Sequence, residues 1–381
     1  MKTIYLDYAA TCPCDPVVVE AMRPYFFEHF GNTLSPHAFG RRARKATEGA
    51  REELALLLNA KPQEIVFTSS ATESNNAAIY STVHALRYKG NHLIISAIEH
   101  HSILEPVKRL KLEGYEISYV PVENDGTIAV GMVASLIRPD TILAAVGHAN
   151  NEIGVIQSID AIGKILREKD VYFLVDAVQT VGHVPVDVKA IQADFLSLSA
   201  HKFYGPQGVG ALFVRQGVVF EPSVLGGDQE RSRRAGTLNV PGIVGLGEAA
   251  RLAREQMSSE GIIQAAMRDV IIKAVMQETP GSVLNGHPQQ RLPNNAHFSF
   301  EGVNGEELIA SLDMVGICCS MGSACTSGQL EPSHVLKAIG LSDPLALSSL
   351  RVSLGRFTTP DDAEYFLEQI NKKVKQLCSS K

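Results

Sequence analysis

From residue 65 onward, short apolar runs rich in β-branched residues alternate with stretches whose apolar positions recur at helical spacing. The runs at 65–67, 93–96, 117–120, 142–146, 172–175, 195–199 and 210–214 predict seven strands. Amphipathic segments at 74–88, 102–112 and 159–168 separate several of them. This alternation predicts an α/β fold in which a mainly parallel seven-stranded sheet is covered by helices on both faces. In such sheets ligands gather at the carboxyl ends of the strands.

Beyond Pro241 the pattern changes. A long helical stretch through 251–276 is followed by strand-like 296–300, helix-like 306–313, strand-like 315–319, helix-like 333–339, strand-like 350–353 and helix-like 361–378. These elements predict a smaller α+β domain. The division read from the pattern is a large domain over 15–259 and a small one built from 1–14 and 260–381. No Pro/Ser-rich linker separates them, so a cleft at their junction is the natural ligand site.

Composition narrows the function. Of 381 residues, 45% are hydrophobic and 20% charged, which is ordinary for a globular protein with a large core. The formal net charge of -6 and the absence of a basic stripe argue against nucleic acid. Apolar runs fall short of the roughly 20 residues that span a bilayer. Asp7 interrupts the N-terminal segment where a signal peptide would be apolar, so a cytoplasmic protein without a membrane partner is expected. The six cysteines lack Cys-x-x-Cys spacing, and the histidines form no helical pair, so neither a disulfide framework nor a metal site is expected.

Polar groups follow the apolar runs. Lys202 closes 195–199 and opens a glycine-rich turn in SLSAHKFYGPQGVG (197–210). Burial beside His201 would favour its neutral amine, the form that bonds to a carbonyl cofactor such as pyridoxal 5'-phosphate. A solvated turn lysine is the competing reading. Asp176 ends 172–175, where a buried carboxylate could pair with a protonated pyridine nitrogen, and Gln179 one turn later could reach the ring hydroxyl. Asp176 could equally cap a helix. Ala71 and Thr72 follow 65–67 at a helix start, an anion site or a simple cap. His100, before His101, could stack on a pyridine ring, and Asn150, Asn151 and Glu152 follow 142–146.

Two groups lie in the second half. The run CCSMGSACTSG (318–328) is dominated by small residues, which predicts a movable loop at about 320–329 with Cys325 inside it. Its thiolate could approach a substrate held elsewhere, or Cys325 could be an ordinary loop residue. Arg351, on the strand-like run 350–353, could clamp a substrate carboxylate or bridge to a structural one.

Taken in order, YLDYAAT (5–11), FTSSATESNN (67–76), EHHSIL (99–104), ANNEIG (149–154), VDAVQTVG (175–182), SAHKFYGPQGVG (199–210) and GSACTSG (322–328) resemble the cysteine desulfurases of the NifS/IscS type. That group belongs to the class-V aminotransferases, with the aspartate aminotransferase-like fold type I. The resemblance implies that Lys202 carries pyridoxal phosphate as a Schiff base, Asp176 pairs with the ring nitrogen, Gln179 with the ring oxygen, and His100 stacks. It implies that Ala71, Thr72, Ser199 and His201 bind phosphate, joined by Thr237 from the other subunit of a homodimer. Asn151 and Arg351 would hold cofactor and substrate oxygens, and Cys325 would become the persulfide.

The implied reaction converts L-cysteine to L-alanine and passes sulfur to an acceptor such as an iron–sulfur scaffold. Asp228, Ser232, Ala235 and the Cys12-Pro13-Cys14 start depart from the family pattern, and the chain ends soon after Cys378, which leaves the acceptor open. A selenocysteine lyase or another aminotransferase-like enzyme is the alternative, and a noncatalytic scaffold a third.

Overall fold

The computed structural model describes residues 3–322 and 331–379. Strand β1 (Ile4–Tyr5) precedes α1 (Pro16–Met22) and α2 (Ala38–Leu58). Strand β2 (Ile65–Thr68) then leads to α3 (Ala71–Ala85), β3 (His92–Ser96) to α4 (His101–Leu112), and β4 (Glu116–Val120) to α5 (Val130–Leu136). Next come β5 (Thr141–Gly147), α6 (Ile159–Glu168), β6 (Tyr172–Asp176), α7 (Val188–Ile191), β7 (Phe195–Ser199), β8 (Gly210–Val214) and α8 (Val240–Glu278). The rest of the chain supplies β9 (Ser282–Leu284), β10 (Asn295–Phe300), α9 (Gly305–Asp313), β11 (Ile317–Cys318), α10 (His334–Ala338), α11 (Asp343–Leu347), β12 (Ser349–Ser353) and α12 (Pro360–Ser379).

All seven strands expected between residues 65 and 214 join one sheet, in the order β2-β8-β7-β6-β5-β3-β4. Strands β3 to β7 pair in parallel, while β8 runs antiparallel to both β7 and β2. The parallel strands therefore end on one edge, where Gly147 pairs with Asp176 and Asp176 with Ser197. Side chains alternate between faces. Phe67, Ile94, Val146, Val175 and Leu196 join the core on one side, and Val66, Ile95, Leu143, Leu174 and Phe195 the core on the other. Burial on both faces is why these strands read as continuous apolar runs.

Helix α8 spans two cores. Ile243, Leu246, Ala250 and Ala253 pack with the large sheet, whereas Ile271 and Val275 pack with Phe298, Leu350, Val352 and Phe366 around the antiparallel sheet β12-β10-β9. Its approach to α2 needs a glycine: a Cβ on Gly247 would lie 2.5 Å from Ala50 Cα. Strand β1 pairs with β11, Ile4 opposite Ile317. The strand expected over 315–319 is shortened to Ile317–Cys318 because Val315 and Gly316 close α9, with Gly316 at φ +85°. Helix α3 starts at Ala71 rather than 74, since Ser70 caps it by accepting from Glu73 N–H.

Candidate active site

Lys202 occupies a single helical turn between β7 and β8. Its backbone carbonyl accepts from His183 Nε2 at 2.9 Å and from Cys12 Sγ at 3.2 Å, so the turn is pinned from two distant segments. The amine donates to the carbonyls of Ala9 and Ala10 at 2.7 and 2.8 Å. Burial, reinforced by the charge of Arg351, pulls its pKa down to about 8. An appreciable share of Lys202 is therefore the neutral amine near neutral pH, which an exposed lysine is not.

The amine opens on a cleft of about 370 Å³ at the carboxyl edge of the sheet. Ala71, Thr72, His100, Asn151, Asp176, Gln179, Ser199, His201 and Arg351 all line it with Lys202. These ten residues were singled out from the sequence and come from six separate segments. Thr237 is exposed and lies outside the residues lining the cleft. Cys325 lies outside the described residues, although Ser320 and Gly322 of the preceding segment reach the cleft wall.

Each group is held by its own local structure. Asp176 ends β6, where Oδ1 accepts from Val178 N–H at 3.0 Å and Oδ2 from Asn75 Nδ2 at 2.8 Å. Both donors are uncharged, so the buried carboxylate has capacity for a cationic partner. Gln179 donates to Ala9 O at 3.1 Å. His201 Nδ1 lies 3.0 Å from Thr11 Oγ1, and burial brings its pKa down to about 4.

At the start of α3, Ala71 and Thr72 occupy the first turn, whose N–H groups have no partner within a helix. Glu73 in that turn is bridged by Arg234 at 2.8 Å, which offsets its charge at the start of the helix. Gly210 lets β8 approach this turn, since a Cβ there would lie 2.8 Å from the Ser70 carbonyl carbon.

Of the two histidines, His100 faces the cleft and caps α4, while His101 lies against His334 with ring centroids 5.3 Å apart and planes tilted by 55°. Arg351 makes a structural bridge and also borders the cleft. It bridges to Asp7 at 2.7 Å and donates to Asn151 O at 2.8 Å, yet it also lines the cleft, and its buried Nε has no partner.

Sequence reasoning missed several lining groups. Glu99 is buried and accepts from Gly147 N–H at 2.8 Å, and burial followed by the nearby Asp176 charge raises its pKa to about 8 despite that hydrogen bond. Ser102 and Gln157 also reach the cleft, while Asn75 holds Asp176 from behind. The signal available for Glu99 was an acidic residue soon after the end of an apolar strand. For Asn75 it was a polar residue on a helix face with apolar neighbours.

The donor set fits a phosphorylated carbonyl cofactor with a basic ring: a partly neutral amine, a buried acid held by neutral donors, and a helix start for the anion. Fold and site together define an α/β protein with a buried lysine facing a cleft at the carboxyl edge of its sheet. Residues 4–366 match the family described as aminotransferase class-V. The chain belongs to that family. It is 48% identical over 376 residues to a cysteine desulfurase IscS of Dictyoglomus turgidum, covering 99% of this chain and 95% of that one. A solved NIFS-like protein superposes with a TM-score of 0.92 at 34% identity, covering 98% of this chain and 100% of that one. The solved structure of SspA in complex with cysteine gives a TM-score of 0.84 at 36% identity, over 94% of this chain and 100% of that one.

Proposed function

We propose that this chain is a pyridoxal 5'-phosphate-dependent cysteine desulfurase that converts L-cysteine to L-alanine and retains the sulfur as a persulfide on Cys325. The observation that carries the reading is the Lys202 amine, lowered to about 8 and opening on the same cleft as Asp176 and the start of α3. The naming of a close relative as a cysteine desulfurase, and a similar structure described with cysteine, support the substrate.

When bound, pyridoxal phosphate supplies a carbonyl for an amine and an electron sink for bond cleavage. Ala71, Thr72, Ser199 and His201 would hold its phosphate, Asp176 the ring nitrogen, Gln179 and Asn151 ring oxygens, and His100 the ring face. Lys202 would hold the cofactor and, once displaced by substrate, carry a proton at Nζ, for which a pKa near the working pH is suited. Arg351 would fix the carboxylate of L-cysteine. Cys325 thiolate would attack the substrate sulfur: the carbon–sulfur bond breaks, a sulfur–sulfur bond forms on Cys325, and one proton ends on the methyl group of alanine.

Two further assignments belong to this reading. Exposed Thr237 is available to the phosphate site of a second subunit in a homodimer, and residues 1–14 with 260–381 form the domain that carries the Cys325 loop. The persulfide would pass in the cytoplasm to an acceptor protein for iron–sulfur cluster assembly.

Loaded protein given L-cysteine and a dithiol yields alanine and sulfide in equal amounts. Cys325→Ala keeps the cofactor absorbance and loses sulfide release. Pyruvate in place of alanine, or a requirement for an added keto acid, would indicate a different pyridoxal enzyme. Persulfide formation by Cys325→Ala at the normal rate would exclude Cys325 as the nucleophile.

A further inference from the structure

A hydrogen-bonded chain runs from Asp176 to His100. Asn75 Nδ2 donates to Asp176 Oδ2 at 2.8 Å and to Ser102 Oγ at 2.9 Å. Ser102 Oγ is 2.9 Å from His100 Nδ1, and Ser102 N–H donates to the same nitrogen at 3.1 Å. Asn75 is wholly buried and its Oδ1 has no partner. The opposite amide orientation would set that oxygen against the Asp176 carboxylate, so charge fixes which way the amide points.

The donors at Nδ1 decide the histidine tautomer. A backbone N–H can only donate, so His100 Nδ1 must present its lone pair. With Asn75 donating to Ser102 Oγ, the Ser102 hydroxyl is left to direct its proton to the same nitrogen. A neutral imidazole carries one proton, which these contacts place on Nε2.

The charged form is disfavoured two ways. It would set an Nδ1–H against Ser102 N–H and put a cation at the start of α4. Burial lowers the His100 pKa, with Lys202 and His101 acting in the same direction and Asp176 opposing them.

We propose that Asn75 and Ser102 are positioning residues that hold His100 as its Nε2-protonated tautomer, so that the ring brings a proton donor, not an acceptor, to the cofactor cleft. The proposal rests on the reading of the cleft as a pyridoxal site and deepens it. His100 would then serve a turnover as an Nε2–H hydrogen-bond donor, and Nε2 could accept no proton while the ring stays in this neutral tautomer. The same two side chains tie this tautomer to the seating of Asp176, because one amide group serves both.

The test is nitrogen NMR of full-length protein labelled with ¹⁵N-histidine, cofactor-free and loaded, with His100→Gln identifying the resonance. A pyridine-type Nδ1 and a pyrrole-type Nε2 are expected in the cofactor-free protein. Ser102→Ala removes one donor to Nδ1 and should raise the His100 pKa by about 0.4–1 unit, the equivalent of one neutral hydrogen bond. Asn75→Leu should shift it in the same direction, and Ser102→Thr, which keeps the hydroxyl, should restore the wild-type titration. A proton found on Nδ1 overturns the proposal without any variant. So does a His100 titration that neither Ser102→Ala nor Asn75→Leu moves. Loaded enzyme that makes no alanine while the cofactor-free protein shows the expected tautomer overturns the desulfurase reading alone.

Discussion

Replacing Glu230 by glutamine should destabilise this protein far more than a typical surface change. Arg51 and Glu230 form a bidentate pair at 2.8 and 2.7 Å, with side chains 3% and 1% exposed. Glu230 Oε2 also accepts from Phe67 N–H at 2.8 Å, and Arg51 donates to Ile65 O at 2.7 Å over the Phe67 ring. The pair therefore joins α2 and β2 to the segment leading to Thr237. Glutamine keeps the shape but removes the charge, leaving a buried guanidinium without its main counter-charge. Losing one partner of a buried pair costs about 3–5 kcal/mol.

Replacing both partners by apolar residues of similar volume is a different perturbation. It removes both desolvated charges, so Arg51→Met with Glu230→Leu should fall within about 2 kcal/mol of wild type. Urea unfolding of cofactor-free protein at one fixed protein concentration would measure Glu230→Gln, the double variant and its two singles, Arg51→Met and Glu230→Leu, which close the cycle. A loss under about 1 kcal/mol for Glu230→Gln, or a double variant as unstable as the singles, would refute the reasoning.

Three other outcomes follow from the geometry. Glu230, Arg231 and Ser232 have φ of 50°, 57° and 60°, three consecutive left-handed residues without a glycine. Ser232→Gly should relieve about 1–2 kcal/mol of strain against about 0.4–1 kcal/mol of added unfolded-chain entropy, a small net gain; lower stability in urea would exclude strain there. Glu99, raised to about 8 by burial, holds a proton that the unfolded chain releases near its ordinary value of about 4.3. Unfolding then releases a proton, so wild-type stability should fall as pH rises from about 4.3 through about 8. Glu99→Gln should lack this decline, and a wild-type-to-variant difference independent of pH would show that Glu99 does not titrate in that window. Arg351→Lys loses the planar fork, so KM for L-cysteine should rise about tenfold or more; an unchanged KM would remove Arg351 from carboxylate binding.

The sheet was legible because its strands other than edge strand β4 are buried on both faces, and the site because polar residues come soon after the carboxyl ends of those runs. Asp176 follows an apolar run directly, and Lys202 and Thr72 come within a few residues of the end of one. What did not show was whatever has no side-chain signature or no local pattern. The carbonyls of Ala9 and Ala10 hold the Lys202 amine, and any residue carries such a carbonyl. Asp7 meets Arg351 across 344 positions of sequence, and two-residue β1 is too short for periodicity. The antiparallel place of β8 between β7 and β2 was equally hidden, since a strand buried on both faces reads alike in either direction.

The cleft brings Asp7, Asp176 and Glu99 near Lys202 and Arg351, and the pairing among them bears on reactivity. A carboxylate bonded to Lys202 would favour the ammonium form and oppose Schiff-base chemistry. Instead Asp7 is turned to Arg351, Asp176 to the amide of Asn75, and Glu99 is raised to about 8 by its burial. Lys202 is left with two backbone carbonyls, which orient the amine without adding a full negative charge. Arg351 adds repulsion from the other side. Its bridge to Asp7 thus has a second consequence: removing Asp7 would leave the Arg351 charge less balanced and lower the Lys202 pKa further, so the acid that holds the arginine also helps to set how much neutral amine the cleft contains.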